Sequence, residues 1–169
     1  MMTRRNTLFG LGAVTAALAG LRGLFTSQNA QAAQPAHAYP VTHADVEWKK
    51  LLKPEQFRVL RQAGTEYPGS SVLNKEKRVG TFVCAGCAQP LFSSKTKFES
   101  GTGWPSFWQA LDKAVVEDTD ITLFMKRVEV LCSNCGGHLG HVFDDGPKPT
   151  GLRYCMNGVA MKFKETSTS

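Results

Sequence analysis

Five cysteines are the residues of this chain best suited to chemistry, and their spacing divides them into two groups. Cys84 and Cys87 form one C-x-x-C pair, Cys132 and Cys135 form a second, and Cys155 stands alone. Two residues between the ligands let one turn present both sulfurs to the same ion, and two such pairs supply the four thiolates of a tetrahedral zinc site. The sequence therefore predicts one structural Zn²⁺ per chain.

Two other states of the paired cysteines remain open on the sequence alone. In an oxidising compartment paired cysteines usually form disulfides, although a bond inside a C-x-x-C pair closes a tight loop and is easily reduced. A redox dithiol of the thioredoxin type is expected near a βαβ pattern, which this sequence lacks. The zinc content and the free-thiol content of the purified protein distinguish these states.

Cys155 lies in a segment whose alternation suits a β-strand. That alternation places Arg153, Cys155 and Asn157 on one face and Tyr154 and Met156 on the other. A guanidinium and an amide beside a thiol favour its thiolate and orient hydrogen bonds to it. The pattern fits a reactive cysteine, and an inert cysteine that packs as a small hydrophobic residue fits it equally well.

Two histidines and a tryptophan could complete a pocket around a reactive thiol. His138 and His141 are three residues apart, and Asp145 follows them. Imidazole groups can donate protons near neutral pH; the alternatives are a second metal site or two surface histidines. Trp104 lies in the turn-forming stretch 101–107, where an indole can wall a small apolar pocket, although core packing would also explain it.

The elements that must position these residues begin with two short helices. One helix is predicted over residues 45–52, and a second begins at Pro54, which suits the first helical position, and stops at Gly64. The apolar face of the second helix consists of Phe57, Val59 and Leu60.

After Arg78 the pattern changes to short β-rich segments separated by glycine and proline. Strands are predicted over residues 79–84, 90–93, 97–99, 107–111, 115–116, 121–131, 139–143 and 152–163. The strands at 115–116 and 121–131 would be the arms of a hairpin that turns at 117–120. We therefore expect a mainly antiparallel β domain with a short helical N-terminal segment.

The N-terminus has the pattern of a secretory signal. Arg4 and Arg5 precede an apolar run over residues 8–21, and the arginine pair is typical of twin-arginine export signals. Arg22 ends the run short of the roughly 18–20 residues that span a bilayer, so we expect cleavage and a periplasmic or exported protein. A retained membrane anchor is the alternative.

Small-residue cleavage patterns place the processing site after Ala32 or Ala38. The expected organisation is a signal peptide over residues 1–32, a disordered lead-in over 33–44, a folded domain over 45–165 and a tail over 166–169. Loss of residues 1–32 removes three arginines and no acidic residue, which lowers the formal net charge from +6 to +3. With no long basic run, we expect no nucleic-acid partner.

Several segments together resemble the B-type peptide methionine sulfoxide reductases. They are CAGC (84–87), SGTGWPSF (100–107), CSNCGGHLGHVFDDGP (132–147), GLRYCMN (151–157) and LLKPEQFRVLRQAGTEYPGSS (51–71). The likeness extends from Val46 to Lys164 in the order and spacing of that family. It implies a domain of two antiparallel sheets, a zinc ion held by the two C-x-x-C pairs, and reduction of methionine (R)-S-oxide, free or in proteins, to methionine.

The resemblance also assigns roles to individual residues. Cys155 corresponds to the catalytic nucleophile, which becomes a sulfenic acid, and Trp104 to the wall around the substrate methyl group. The active-site partners would be His138, His141 and Asn157. The supporting charged residues would be Arg153 and Asp145.

One position departs from the pattern of many family members. Where they have a resolving cysteine, this chain has Thr102, and the other four cysteines are the expected zinc ligands. The resemblance therefore implies that an external thiol, either thioredoxin-like or small, regenerates Cys155. We expect a monomer. The competing interpretation is a zinc-ribbon binding module that docks protein or nucleic acid without catalysis.

Overall fold

The computed structural model describes residues 38–120 and 127–166. Among these residues, no helix is both long and apolar enough to cross a membrane. The helices are α1 (Asp45–Leu51) and α2 (Pro54–Gln62). The strands are β1 (Gly80–Cys84), β2 (Pro90–Ser93), β3 (Lys97–Phe98), β4 (Ser106–Phe107), β5 (Val115–Asp120), β6 (Arg127–Cys132), β7 (His138–Phe143), β8 (Arg153–Met156) and β9 (Met161–Glu165).

Helix α2 begins as predicted and ends one residue earlier than predicted. Pro54 occupies the first turn, and the preceding Lys53 amide donates to the Gln56 side chain. The predicted apolar face is confirmed, since its three members are buried. The left-handed residue that ends the helix is Ala63, with φ of 50°. Gly64 follows it in close contact with the backbone of Arg58.

The strands form two antiparallel sheets, as expected. A three-stranded sheet has the order β2-β1-β9, and a six-stranded sheet has the order β3-β4-β8-β7-β6-β5. Aromatic rings join the sheets: Phe92 of the small sheet stacks on Phe107 of the large sheet at 4.4 Å between centroids. Phe82 contacts Phe107 from the same side at 4.9 Å. These buried contacts hold the two sheets in one hydrophobic core.

Outside the hairpin, two predicted strands differ from the structure by more than one residue at an end. The predicted strand 152–163 is two strands in different sheets, β8 and β9, separated by a short 3-10 turn at Gly158–Ala160. The Glu66 carboxylate accepts hydrogen bonds from the Gly158 and Val159 amides, which holds that break. The predicted strand 107–111 is only Ser106–Phe107; beyond it the Trp108 amide donates to the Thr96 carbonyl, and the Leu111 amide donates to the Leu91 carbonyl of the other sheet.

The predicted hairpin is present, but its turn was misplaced. Strand β5 extends through residues 117–120, and β5 pairs with β6 from Val115 opposite Cys132 to Asp120 opposite Arg127. Cross-strand pairing therefore outweighs the turn preference of the polar residues in this stretch. The connection, residues 121–126, lies outside the described residues.

The N-terminal predictions fall largely outside the described residues. The proposed signal peptide over 1–32 lies there entirely, and the proposed lead-in and tail lie there in part. From residue 38 to 44 the chain has no helix or strand, and the Val41 amide donates to the Asn134 carbonyl at 2.8 Å. The domain boundaries remain a prediction.

Candidate active site and metal site

The two C-x-x-C pairs meet although 44 residues separate Cys87 from Cys132. All four Sγ atoms lie within 4.8 Å of one another; Cys84 and Cys135 are 3.7 Å apart, and Cys87 and Cys132 are 3.6 Å apart. A tetrahedral zinc ion with Zn–S bonds of about 2.3 Å places its sulfurs about 3.8 Å from one another. This cysteine cluster therefore has the donor set and the spacing of a zinc site.

The four sulfurs of the cysteine cluster shift one another's pKa values. Hydrogen bonds among the crowded sulfurs raise the pKa of Cys84 and Cys135 and lower the pKa of Cys87 and Cys132. A divalent ion would favour the thiolate form at all four sulfurs. None of the five cysteines is in a disulfide. The cluster also connects the sheets, because Cys84 ends β1 and Cys132 ends β6.

Strand β8 places Cys155 between two neighbouring strands. Cys155 lies opposite Ser106 of β4 and opposite His141 of β7. As predicted, Tyr154 and Met156 point into the core, while the side chain of Cys155 is only half-buried. A Cβ atom at Gly140 would collide with the Cys155 carbonyl oxygen. Glycine at this position therefore lets β7 approach β8 closely.

Cys155 opens into a cavity of about 160 Å³. The cavity also includes three other residues that the sequence singled out, namely Trp104, His141 and Asn157. Its remaining walls are Thr65, Arg127, Gly140 and Phe143. A space of this size suits a small group such as the end of a thioether side chain, with one aromatic wall and a few polar atoms.

Backbone groups of one loop hold Trp104 and Asn157 in place. The Trp104 indole donates to the Glu66 carbonyl at 3.2 Å, and the Glu66 amide donates to Asn157 Oδ1 at 2.9 Å. The Asn157 side-chain amide donates to the Leu139 carbonyl at 3.1 Å. Asn157 is 3% exposed, so this network fixes its orientation at the inner end of the cavity.

The two predicted histidines occupy different positions relative to Cys155. His141 lines the cavity, whereas His138 is buried and is not among the lining residues. Nδ1 of His138 is 2.5 Å from the Glu129 carboxylate. Its Nε2 has no hydrogen-bond partner among the residues that the structure describes. The two imidazole rings meet edge to face at 5.4 Å, so His138 contacts the cavity through His141.

Arg153 and Asp145 form a bidentate ion pair beside the cavity. Arg153 Nε and Nη2 lie 2.7 and 2.8 Å from the two carboxylate oxygens of Asp145. The guanidinium also stacks on the Phe143 ring at 4.3 Å. Hydrogen bonding to Asp145 raises the pKa of Arg153 and, in return, lowers the pKa of Asp145. The ion pair therefore fixes the position of the Phe143 ring, which forms one wall of the cavity.

Thr102 contacts the sulfur of Cys155 directly. Its hydroxyl oxygen lies 3.7 Å from Cys155 Sγ. The position that corresponds to the resolving cysteine of many family members is therefore next to the candidate nucleophile, but it carries a hydroxyl group.

The sequence did not single out several residues of the site. Glu66 and Thr65 lie in a turn-rich stretch that gave no signal of its own. Arg127 and Glu129 could have been found, because they alternate with apolar Val128 and Val130 and so fall on the polar face of β6. Glu129 in addition lies directly opposite His141.

Comparison with known proteins identifies the family. The SelR domain matches residues 52–165 of this chain. The chain belongs to the SelR domain family. The match contains all five cysteines and every described residue that lines the cavity.

The chain is also similar to proteins from several organisms. The peptide methionine sulfoxide reductase MsrB of Leptospira interrogans (strain 56601) is 56% identical over 128 residues, which are 75% of this chain and 98% of that protein. The protein of the same name in Methanosarcina barkeri is 57% identical over 125 residues, 73% of this chain and 88% of that protein. The one in Pseudomonas putida is 54% identical over 119 residues, 70% and 90% of the respective chains.

Proposed function

We propose that this SelR-family protein reduces methionine (R)-S-oxide, free or in proteins, to methionine, and so repairs oxidised proteins. The observation that carries the proposal is the half-buried Cys155 sulfur in a small cavity shared with Trp104, His141 and Asn157. The cavity has room for a methyl sulfoxide and little more. The apolar indole on one side suits the methyl group, and the polar groups on the other side suit the sulfoxide oxygen.

The reaction begins with the Cys155 thiolate attacking the sulfoxide sulfur. The sulfoxide oxygen takes up a proton as its bond to the methionine sulfur breaks. The oxygen then moves from the methionine sulfur to Cys155 Sγ while the bond between the two sulfurs breaks. The electron pair of that bond leaves with methionine, and Cys155 is left as a sulfenic acid. The cysteine sulfur is thereby oxidised by the two electrons that the methionine sulfur gains.

His141, or a water molecule that it orients, supplies the proton. His141 is the imidazole that lines the cavity and lies opposite Cys155 on the neighbouring strand. His138 does not line the cavity and acts through His141. Glu129 holds Nδ1 of His138, and the His138 ring packs against the His141 ring. Trp104 contacts the S-methyl group, and the Arg153–Asp145 pair supports the wall formed by Phe143.

The metal proposed for the cysteine cluster is one zinc ion per chain. Cys84, Cys87, Cys132 and Cys135 would hold it, and its role is structural, since four thiolates leave no open coordination position for substrate. Because Cys84 ends β1 and Cys132 ends β6, the ion would join the two sheets.

An external thiol regenerates the enzyme. It attacks the sulfenic acid of Cys155, water leaves, and a second thiol reduces the resulting mixed disulfide to release Cys155. We propose this route because Thr102 cannot form a disulfide and the four other cysteines are committed to the metal. The reductant would be a thioredoxin-like protein or a small thiol.

The cellular setting is part of the proposal. The arginine pair and short apolar run at the N-terminus support a cleaved export signal and a periplasmic enzyme that acts as a monomer. N-terminal sequencing of the exported protein tests the cleavage, and a retained Met1 would contradict it.

The activity is tested with Cys155→Ser and with both sulfoxide epimers. With dithiothreitol as reductant, the wild-type protein should reduce the R epimer and not the S epimer. Cys155→Ser should lose turnover while keeping its zinc and its fold, because serine adds no bulk to a half-buried position. Turnover by the variant would contradict the role of Cys155 as nucleophile, and zinc binding without any reduction by the wild type would favour the binding-module interpretation.

A further inference from the structure

Three hydroxyl groups form a continuous chain that ends on the sulfur of Cys155. Ser106 Oγ donates to the Trp104 carbonyl at 3.1 Å. Ser100 Oγ lies 2.7 Å from Ser106 Oγ and 2.8 Å from Thr102 Oγ1. The Thr102 hydroxyl in turn lies 3.7 Å from Cys155 Sγ. Ser106 has no exposed surface, so the inner end of the chain is closed to water.

The number of protons decides which way this hydroxyl chain points. Each hydroxyl has one proton to donate, and the chain contains four contacts. When Cys155 is a thiol, its own proton is the fourth. Every contact is then satisfied if Cys155 donates to Thr102, Thr102 to Ser100, Ser100 to Ser106 and Ser106 to the carbonyl.

The thiolate form of Cys155 has no proton to give, so three hydroxyl protons serve four contacts and one contact is lost; reversal of the chain is the arrangement that keeps the contact to the sulfur. Thr102 then donates to the sulfur, Ser100 to Thr102, and Ser106 to Ser100. Only the contact between Ser106 and the Trp104 carbonyl is lost. Keeping the first direction would instead leave the charged sulfur without the Thr102 donor, and turning Thr102 alone would leave two oxygens facing each other at 2.8 Å without a proton between them. The negative charge on Cys155 therefore selects the reversed direction, and the hydrogen bond to it is charge-assisted.

We propose that Thr102 is a catalytic residue whose hydroxyl donates a hydrogen bond to the Cys155 thiolate, and that Ser100 and Ser106 are the positioning residues that orient it. The proposal rests on Cys155 being the nucleophile of the proposed function. Thr102 would then have a role that differs from the disulfide formation of a resolving cysteine. A resolving cysteine acts after the reduction, whereas Thr102 stabilises the sulfur before it attacks.

The test measures the reactivity of Cys155 without requiring reductase activity. The full zinc-loaded protein is treated with iodoacetamide at one fixed pH, and the adduct on Cys155 is quantified by peptide mass spectrometry over time. Thr102→Val keeps the shape and removes the hydroxyl, and alkylation should become several-fold slower. Loss of one hydrogen bond to a charged group lowers the thiolate population by about tenfold, and the higher nucleophilicity of the less stabilised thiolate offsets part of that loss. Thr102→Ser restores the donor and should stay within about twofold of wild type.

Two further variants complete the series: one tests the hydroxyl chain, and the other is a matched control. Ser100→Ala removes the partner that orients Thr102 and should slow alkylation by about threefold. Thr96→Val is the matched control, because it also removes a hydroxyl within hydrogen-bond distance of two carbonyl oxygens, those of Ser93 and Gln109, but does not contact Cys155. It should alkylate at the wild-type rate. The kcat for sulfoxide reduction should follow the alkylation rate across the series while KM changes little.

The result that overturns the proposal is alkylation of Thr102→Val at the wild-type rate. An equal decrease of the alkylation rate in Thr102→Ser and Thr102→Val would also overturn it, since the effect would then come from packing and not from the hydroxyl. Failure of the proposed function has a different signature, because the wild-type protein would then not reduce the R epimer at all, whatever its alkylation rate.

Discussion

Replacing Glu66 should destabilise the fold and the cavity together. Its carboxylate accepts the Gly158 amide at 2.5 Å and the Val159 amide at 3.1 Å, and the residue is 9% exposed. Glu66→Ala leaves both amides without an acceptor. Each hydrogen bond to a charged group contributes about 1.5–3 kcal/mol, and removing a carboxylate that is costly to bury recovers part of the loss.

The expected net loss is about 2–3 kcal/mol in the free energy of unfolding. It should be measured by urea denaturation of the zinc-loaded protein. Glu55→Ala is the matched control: Glu55 is an exposed glutamate in the first turn of α2, and we expect a change within about 0.5 kcal/mol. Equal stabilities of the two variants would refute the claim that the Glu66 carboxylate holds the break between β8 and β9.

The contribution of Glu66 to the free energy of unfolding should change with pH in a definite direction. Burial raises the pKa of Glu66 above its usual value near 4.5, and the hydrogen bonds from Gly158 and Val159 only partly offset this. The native state therefore binds the Glu66 proton at a pH where the unfolded chain has released it. Relative to Glu66→Gln, the wild-type protein should gain stability as the pH falls from neutral towards 4.5.

Three further predictions follow from the site. Thr102→Cys should form a disulfide with Cys155 after one equivalent of substrate, because the two side chains are in contact; non-reducing peptide mapping detects it, and a persistent sulfenic acid would contradict it. Removal of zinc by a strong chelator should lower the melting temperature and loosen the contact between the two sheets, seen as faster amide exchange in β1 and β6; unchanged exchange would argue against a structural role. Glu129→Gln weakens the contact to His138 Nδ1 and should lower kcat by about tenfold with little change in KM, and a change in KM alone would place Glu129 in substrate binding.

The cysteine chemistry was readable from the sequence because it depends on short spacings. The doubled C-x-x-C pattern predicted the cluster that the structure brings together. Strict alternation around Cys155 placed Tyr154 and Met156 in the core and left the sulfur facing the cavity. Local patterns of this kind survive folding because a strand has a fixed two-residue period.

What the sequence did not reveal depends on contacts between distant segments. Glu66 reaches the turn at Gly158 across 92 positions, so no local pattern could show why the segment 152–163 breaks into two strands. The hairpin turn was misplaced for a related reason. Residues 117–120 look like a turn by composition, but pairing with β6 keeps them extended. The different surroundings of His138 and His141 likewise depend on the irregular register between β6 and β7.

A single-turnover experiment without reductant tests the central claim most directly. The zinc-loaded protein is mixed with one equivalent of methionine (R)-S-oxide, and methionine, sulfenic acid and retained zinc are quantified together. We predict one methionine per chain, one sulfenic acid located at Cys155, and no loss of zinc. Formation of methionine together with a disulfide between Cys155 and a cysteine of the cluster, accompanied by zinc release, would contradict the account, as would the absence of methionine.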